Sequence, residues 1–235
     1  MHEAAKFVLS KRIVQQQLDS LKPYADRISY SIKTNYEVGK VLEWMSDCSF
    51  SVHSIEEAKL INKPNRLWYF AQALDKQDIQ LLLKIGVKNF VVDNHNDLKI
   101  LLENVDGNIN LLLRMRLREH TVHTGKHFVY GFYSKDVNEL IAQLKHNKMI
   151  DKLGIHFHRK TQNVSEWNLK NELMQSISNE TLKDIDLVNI GGGLPSVYKN
   201  FRPDVLPLIF EKILDLRRWL NSNDIEMIIE PGRYI

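Results

Sequence analysis

Lys33, in Tyr30-Ser31-Ile32-Lys33-Thr34-Asn35, closes a short β-rich run. A lysine drawn into a folded interior loses hydration, which favours its neutral amine. A neutral amine is a nucleophile that condenses with an aldehyde or ketone. The same placement also suits a strand-end lysine whose head reaches water. Gly191-Gly192-Gly193 follows the apolar run Asp186–Ile190. Glycines let backbone N–H groups crowd around a phosphate, and they equally serve a sharp strand-to-loop turn. The tract matches neither the Walker pattern nor the dinucleotide-binding fingerprint. Glu230-Pro231-Gly232-Arg233 ends another apolar run. Its arginine can bind phosphate through charge-assisted hydrogen bonds. Its glutamate, if buried, can hold a proton on a heterocyclic nitrogen; an ion pair at a rim is the plainer alternative. In His156-Phe157-His158 the alternation puts both imidazoles on one face of a strand. Such a pair can ligate a metal, lie beside a flat ligand, or pack as hydrogen-bonded core. His53 also ends a strand and fits packing and ligand contact alike. His2, His95, His120, His123, His127 and His146 fall in polar loops or helices and read as solvated.

Something must carry these residues to one place. Eight β-rich runs are visible, at Ile28–Lys33, Phe50–Ser54, Leu67–Ala71, Phe90–Asp93, Asn110–Met115, Gly154–His158, Asp186–Ile190 and Glu226–Glu230. Amphipathic helical segments fall between most of them, at Asp75–Ile85, Asp93–Glu103, Lys135–Leu144, Trp167–Ile177 and Val205–Leu220. Gly86 is a candidate C-cap, and Asn94 or Asn96 a candidate N-cap. A further helix, Ser10–Leu21, precedes the first strand. Strand–helix alternation predicts a parallel sheet. Eight units within ~250 residues predict a closed (β/α)8 TIM barrel, with a doubly wound open sheet as the second choice. Barrel active sites lie at the C-terminal strand ends. Those ends carry Lys33, His53, Asp93, Arg114, His156, His158, Gly191–Gly193 and Glu230–Arg233. Phosphate sites often follow strands seven and eight of such barrels, and the triple glycine follows the seventh.

Composition excludes several classes. Lys+Arg 32 against Asp+Glu 29 is too balanced for a nucleic-acid or polybasic membrane partner. One cysteine, Cys48, makes no internal disulfide and no cysteine zinc cluster, which points to a reducing, cytoplasmic setting. No run approaches the ~18 apolar residues of a spanning helix, and the N-terminal apolar run is too short for a signal peptide.

The motifs together resemble the N-terminal barrel of the fold-type III pyridoxal-phosphate decarboxylases, which act on ornithine, arginine and diaminopimelate and share their barrel with alanine racemase. Tyr30–Asn35 resembles the family's lysine motif, and Gly154–Thr161 its sixth-strand motif. Gly191–Pro195 resembles its glycine turn, and Glu230–Arg233 matches its Glu-Pro-Gly-Arg. The resemblance covers essentially the whole chain. It implies pyridoxal 5'-phosphate as cofactor and no metal. It implies that Lys33 joins the cofactor through an imine and that His158 stacks on the ring. Thr161, Gly193 and Arg233 would hold the phosphate with the Gly191–Gly192 backbone. Within the Glu230-Pro231-Gly232-Arg233 turn, Glu230 would pair with the ring nitrogen. Arg114 would lie behind the cofactor, and Glu57 would join a polar network near the lysine.

The sequence departs from the family pattern at three places. Ser51 stands where the family usually has aspartate. Lys160-Thr161, beside Arg159, replaces a Gly-Ser. The family's β-rich second domain, which completes the site across a dimer interface, has no counterpart after the eighth strand. The expected organisation is therefore one barrel over residues 1–235, ending after strand eight. It is expected to be the N-terminal part of a truncated or split decarboxylase of basic amino acids in polyamine or amino-acid metabolism. Ornithine or arginine is favoured as substrate, then diaminopimelate. The expected assembly is a homodimer or an association with a separate β-domain chain. A non-catalytic, regulatory cofactor-binding barrel is the alternative, and a metal-dependent hydrolase using His156 and His158 a distant third.

Overall fold

The computed structural model describes residues 8–117, 130–158, 167–196 and 203–235. Eight parallel strands close on themselves: β1 Arg27–Ser31, β2 Ser49–Val52, β3 Leu67–Phe70, β4 Asn89–Val92, β5 Ile109–Arg114, β6 Ile150–His156, β7 Leu187–Asn189 and β8 Glu226–Ile229. Each pairs with the next. β1 pairs back with β8 through Arg27 opposite Ile228 and Ile28 opposite Ile229. Closure excludes the open doubly wound sheet.

Helices cover the outside: α1 Lys11–Leu21, α2 Tyr36–Met45, α3 Ile55–Lys59, α4 Lys76–Ile85, α5 His95–Asn104, α6 Ser134–Leu144, α7 Leu169–Ser176, α8 Asn179–Lys183 and α9 Leu206–Asn221. Their starts are written locally. Asn35, Ser54, Asp75, Asn94 and Ser178 each accept a backbone N–H of the first turn through the side chain, which satisfies donors the helix leaves unpaired. Gly86 closes α4 at φ 101°, a conformation that favours glycine.

Alternation along the strands sorts side chains into two cores. Outward residues such as Phe50, Phe90, Leu111 and Leu113 pack under the helices. Inward residues stack along the barrel axis. At mid-height Trp68, Val91, Leu112, Leu187 and Ile228 form an apolar plug, capped by Phe70. Gly154 belongs to this layer. A Cβ there would sit 2.8 Å from Leu112 Cδ2 and would collide with the Leu187 carbonyl. The plug separates two polar mouths. At the N-terminal mouth Glu226 pairs with Arg27 and Lys152. The C-terminal mouth holds the residues singled out from the sequence.

Candidate active site

β1 ends at Ser31, and Lys33 sits one turn beyond, in the 3-10 turn Ile32–Thr34. It is therefore not a strand residue as the sequence suggested. Asn35 then caps α2, accepting from the Glu37 and Val38 N–H groups at 3.0 and 3.4 Å. The turn is thus pinned between strand and helix. Lys33 Nζ lies 3.4 Å from His53 Nε2. The His53 ring stacks on Phe70 at 4.7 Å and 14°, and Phe70 meets His156 edge-on at 5.0 Å. Glu57 Oε2 accepts the His53 backbone N–H at 2.7 Å and lies 3.8 Å from its Nδ1. The His53 imidazole and backbone N–H hold the Glu57 carboxyl below its ordinary value against the effect of burial.

Glu230 follows β8 directly and is buried. Its Oε1 accepts from Ser51 Oγ and from Asn189 Nδ2, both at 2.9 Å. Ser51 in turn meets Ser29 Oγ at 2.8 Å. Glu230 Oε2 lies 3.5 Å from His156 Nε2. Burial alone would raise this carboxyl. The imidazoles of His156 and His158 and the Asn189 amide outweigh it and hold Glu230 at about 2. Complete burial pushes His156 down.

β6 ends at His156, so His158 stands beyond the strand, not on its face as the alternation suggested. Both imidazoles still line one cavity. His158 Nδ1 accepts the Gly192 N–H at 3.1 Å, so that nitrogen carries no proton. The packing behind its ring pushes His158 down to about 4, while one side stays open to the cavity. Asn189 Oδ1 accepts the Gly191 N–H at 2.9 Å and folds the glycine turn over the end of β7. Gly191 has φ 67°, and a Cβ on Gly192 would lie 2.7 Å from the Glu230 carbonyl. The Glu230–Arg233 segment is tied in by Glu230 N to Gly191 O at 2.8 Å and Ser31 N to Pro231 O at 3.0 Å.

The cavity, about 400 Å³, brings together Lys33, His158, Gly192, Gly193, Glu230 and Arg233. Arg114 forms part of its wall, with its guanidinium 5.7 Å from the Tyr130 ring. Burial lowers Arg114 from its ordinary value, and Asp93 and Glu230 oppose that shift. Thr161, with Arg159 and Lys160, lies outside the described residues, as do His2, His120, His123 and His127. His95 and His146 are exposed, although His95 also meets Phe132 edge-on at 5.0 Å. Among the described residues no cluster of three or more histidine, cysteine or acidic side chains could hold a metal.

The sequence reasoning missed Asn189 and the part played by Ser51. Asn189 could have been found as a polar residue at an inward position of an otherwise apolar strand, Leu187–Asn189.

Residues 10–235 match the family model described as the pyridoxal-dependent decarboxylase, pyridoxal binding domain. The chain belongs to this family. Its cofactor is pyridoxal 5'-phosphate. Antizyme inhibitor 2 of Xenopus laevis is 24% identical over 233 residues, covering 92% of this chain and 48% of that protein. The chain thus spans about half the length of the curated relative it matches. Among solved structures, a lysine decarboxylase from Selenomonas ruminantium superposes with a TM-score of 0.79 at 19% identity, over 95% of this chain and 61% of that one. A diaminopimelate decarboxylase from Helicobacter pylori gives 0.79 at 17% identity, over 99% and 64%. The arginine decarboxylase of Paramecium bursaria Chlorella virus gives 0.74 at 20%, over 95% and 62%. These likenesses establish the shared barrel.

The described residues fit the cofactor. An amine, a buried carboxylate and an exposed guanidinium face one cavity. Among the described residues, neither ring nitrogen of buried His156 has a hydrogen-bond partner. A side chain at Gly192 would crowd the cavity wall, 3.3 Å from His158 Cε1.

Proposed function

We propose that this barrel decarboxylates a basic amino acid. Ornithine or arginine leads, followed by diaminopimelate and by lysine, the substrate named for one structural neighbour. The observation that carries the reading is the placement of Lys33 and Glu230 on the wall of one cavity. Lys33 would hold the cofactor's aldehyde carbon, and Glu230 would hold a proton on the ring nitrogen. His158 would lie on the flat face. Gly193 and Arg233 would hold the phosphate, with the Gly191–Gly192 backbone, the Pro231-Gly232 turn and Thr161. Arg114 would stand behind the ring. When bound, the cofactor supplies an electron sink for the charge left on the substrate α-carbon as carbon dioxide departs.

The residues divide that work. A carboxylate with both hydrogen bonds on Oε1 keeps Oε2 available for a proton partner. Ser51 and Asn189 are neutral donors, so they fix Glu230 without adding a competing charge. The apolar plug beneath Phe70 closes the floor of the cavity to water. The catalytic unit we propose is this barrel together with a second copy or with a β-rich domain, working in the cytoplasm.

The test is borohydride reduction of the chain incubated with pyridoxal phosphate, followed by peptide mass spectrometry. A single pyridoxyl group on Lys33, absent in Lys33→Met, supports the reading. Labels scattered over surface lysines overturn it. Carbon dioxide release from ornithine, arginine, lysine and diaminopimelate then assigns the substrate. The match to an antizyme inhibitor favours a second reading, a cofactor-binding barrel that regulates a partner. Lys33 labelling without carbon dioxide release from any of the four, even with the completing domain supplied, selects it.

A further inference from the structure

Lys33 needs somewhere to put a proton. An ammonium has no lone pair, so the side chain must lose a proton before it attacks an aldehyde. Among the described residues, the titratable side chain hydrogen-bonded to Lys33 Nζ is His53, through Nε2 at 3.4 Å. The other candidates on the cavity wall are engaged or turned elsewhere. His158 Nδ1 accepts from Gly192; Glu230 Oε1 is taken by Ser51 and Asn189, and its Oε2 faces His156, not Lys33. His156 faces Glu230 and meets Phe70.

His53 is also held ready. Its ring is stacked on Phe70, which fixes the plane. Ser54 caps α3 by accepting the Glu57 N–H at 3.1 Å, which brings the Glu57 carboxylate back beneath His53. This is a capping box shifted by one residue. It leaves Glu57 Oε2 3.8 Å from Nδ1, a buried nitrogen with no hydrogen-bond partner among the described residues. The charged groups facing His53 are therefore Lys33 on one side and Glu57 on the other, with His156 beyond Phe70. An imidazolium formed there gains Glu57 as its counter-charge.

We propose that His53 takes one proton from the Lys33 ammonium as the amine attacks the cofactor aldehyde. It returns that proton to the hydroxyl that leaves as water. The C–N bond forms, a second proton passes from the bonded nitrogen to the aldehyde oxygen to make that hydroxyl, the oxygen departs as water, and the third ammonium proton stays on the nitrogen, so no net proton is consumed. This inference rests on the cofactor reading of Lys33.

The experiment mixes the cofactor-free chain with pyridoxal phosphate and quenches with borohydride over time. It measures how fast the pyridoxyl group arrives at Lys33, and turnover does not enter. His53→Phe keeps the ring on Phe70, and His53→Gln keeps a hydrogen-bond acceptor; the melting temperatures of both are checked against the wild type. Both variants are expected to slow attachment by about tenfold or more with an unchanged final extent, in keeping with the size of general acid–base effects. In His53→Ala, added imidazole should restore the rate in proportion to its concentration. Attachment at the wild-type rate in either His53→Phe or His53→Gln overturns the proposal, as does an His53→Ala rate indifferent to imidazole. A wild-type chain that takes no label on Lys33 fails earlier and overturns the cofactor reading together with this one.

Discussion

Glu226 and Glu230 bracket β8 and share its inward-facing alternation, yet they serve opposite mouths of the barrel. Glu226 is partly exposed and paired with Arg27 and Lys152. Its charge is matched within the chain, and water reaches it. Glu230 is 7% exposed, and its partners are a hydroxyl, an amide and an imidazole. Among the described residues no lysine or arginine forms an ion pair with it. One carboxylate is matched by two cations; the other is buried and oriented by neutral donors and an imidazole among the described residues. Burial without a full counter-charge is expensive, and it is the pattern expected at a working site.

The wall between the two mouths should matter most. Trp68→Ala removes the largest side chain of the plug and should cost about 3–5 kcal/mol in chemical denaturation. It should also let water reach Glu230 from below. A loss below about 1 kcal/mol would mean that the plug does not isolate the upper mouth.

The next contrast is functional. Glu230→Gln should lower decarboxylation by about a hundredfold or more while Lys33 still takes the pyridoxyl label. Glu226→Gln should leave the rate within about twofold, since only two partly exposed ion pairs at the far mouth are lost. Equal effects from the two substitutions would erase the distinction.

Acid should open the upper mouth in two steps. His156 is pushed below its ordinary 6.5, so its contribution is full above that pH and is lost as the pH falls below it. Glu230 is held at about 2 against an ordinary 4.5, so its contribution is full above about 4.5 and drains away toward 2. Melting temperature measured from pH 8 to pH 3 should fall in both windows. His156→Phe should flatten the upper step and also weaken the lower one, because the same imidazole helps hold Glu230 down.

Two smaller effects sharpen the picture. Asn189→Ala removes one donor to Glu230 and the acceptor for the Gly191 N–H, and should cost about 1–3 kcal/mol. Arg27→Met at the lower mouth should cost about 1 kcal/mol or less, shrinking in high salt. A salt-sensitive loss at Asn189 and a salt-insensitive one at Arg27 would reverse the assignment of the two mouths.

The barrel was legible because its strands are short, apolar and regularly interrupted. All eight appear at their expected places, each within a few residues. Polar helices were harder. α3 and α8, five residues each, are too short to show a periodic face, and α2 follows β1 so closely that it reads as a connection, although Asn35, Ser54 and Ser178 cap them in plain sight. The site was legible wherever one motif stood at one strand end. It was illegible where its function depends on two strands. Ser51 reads as a lost aspartate until β8 places Glu230 within 2.9 Å of it. Asn189 reads as a strand residue until it is seen bridging the glycine turn and the same carboxylate. His53 offered no choice between packing and ligand contact; the structure shows it stacked on Phe70 and within reach of Lys33.

The seam between β1 and β8 sets the order in which the molecule can be made. Lys33 follows the first strand and Glu230 the last, and they become neighbours only when Arg27 and Ile28 pair with Ile228 and Ile229. Joining segments so far apart along the chain is an entropic expense that local contacts cannot share, and such topologies fold slowly. Seven strands can gather into a curved sheet beforehand, with Ser51 and Asn189 already in it. The two sides of the cavity, Lys33 after β1 and Glu230 after β8, are brought together by that pairing.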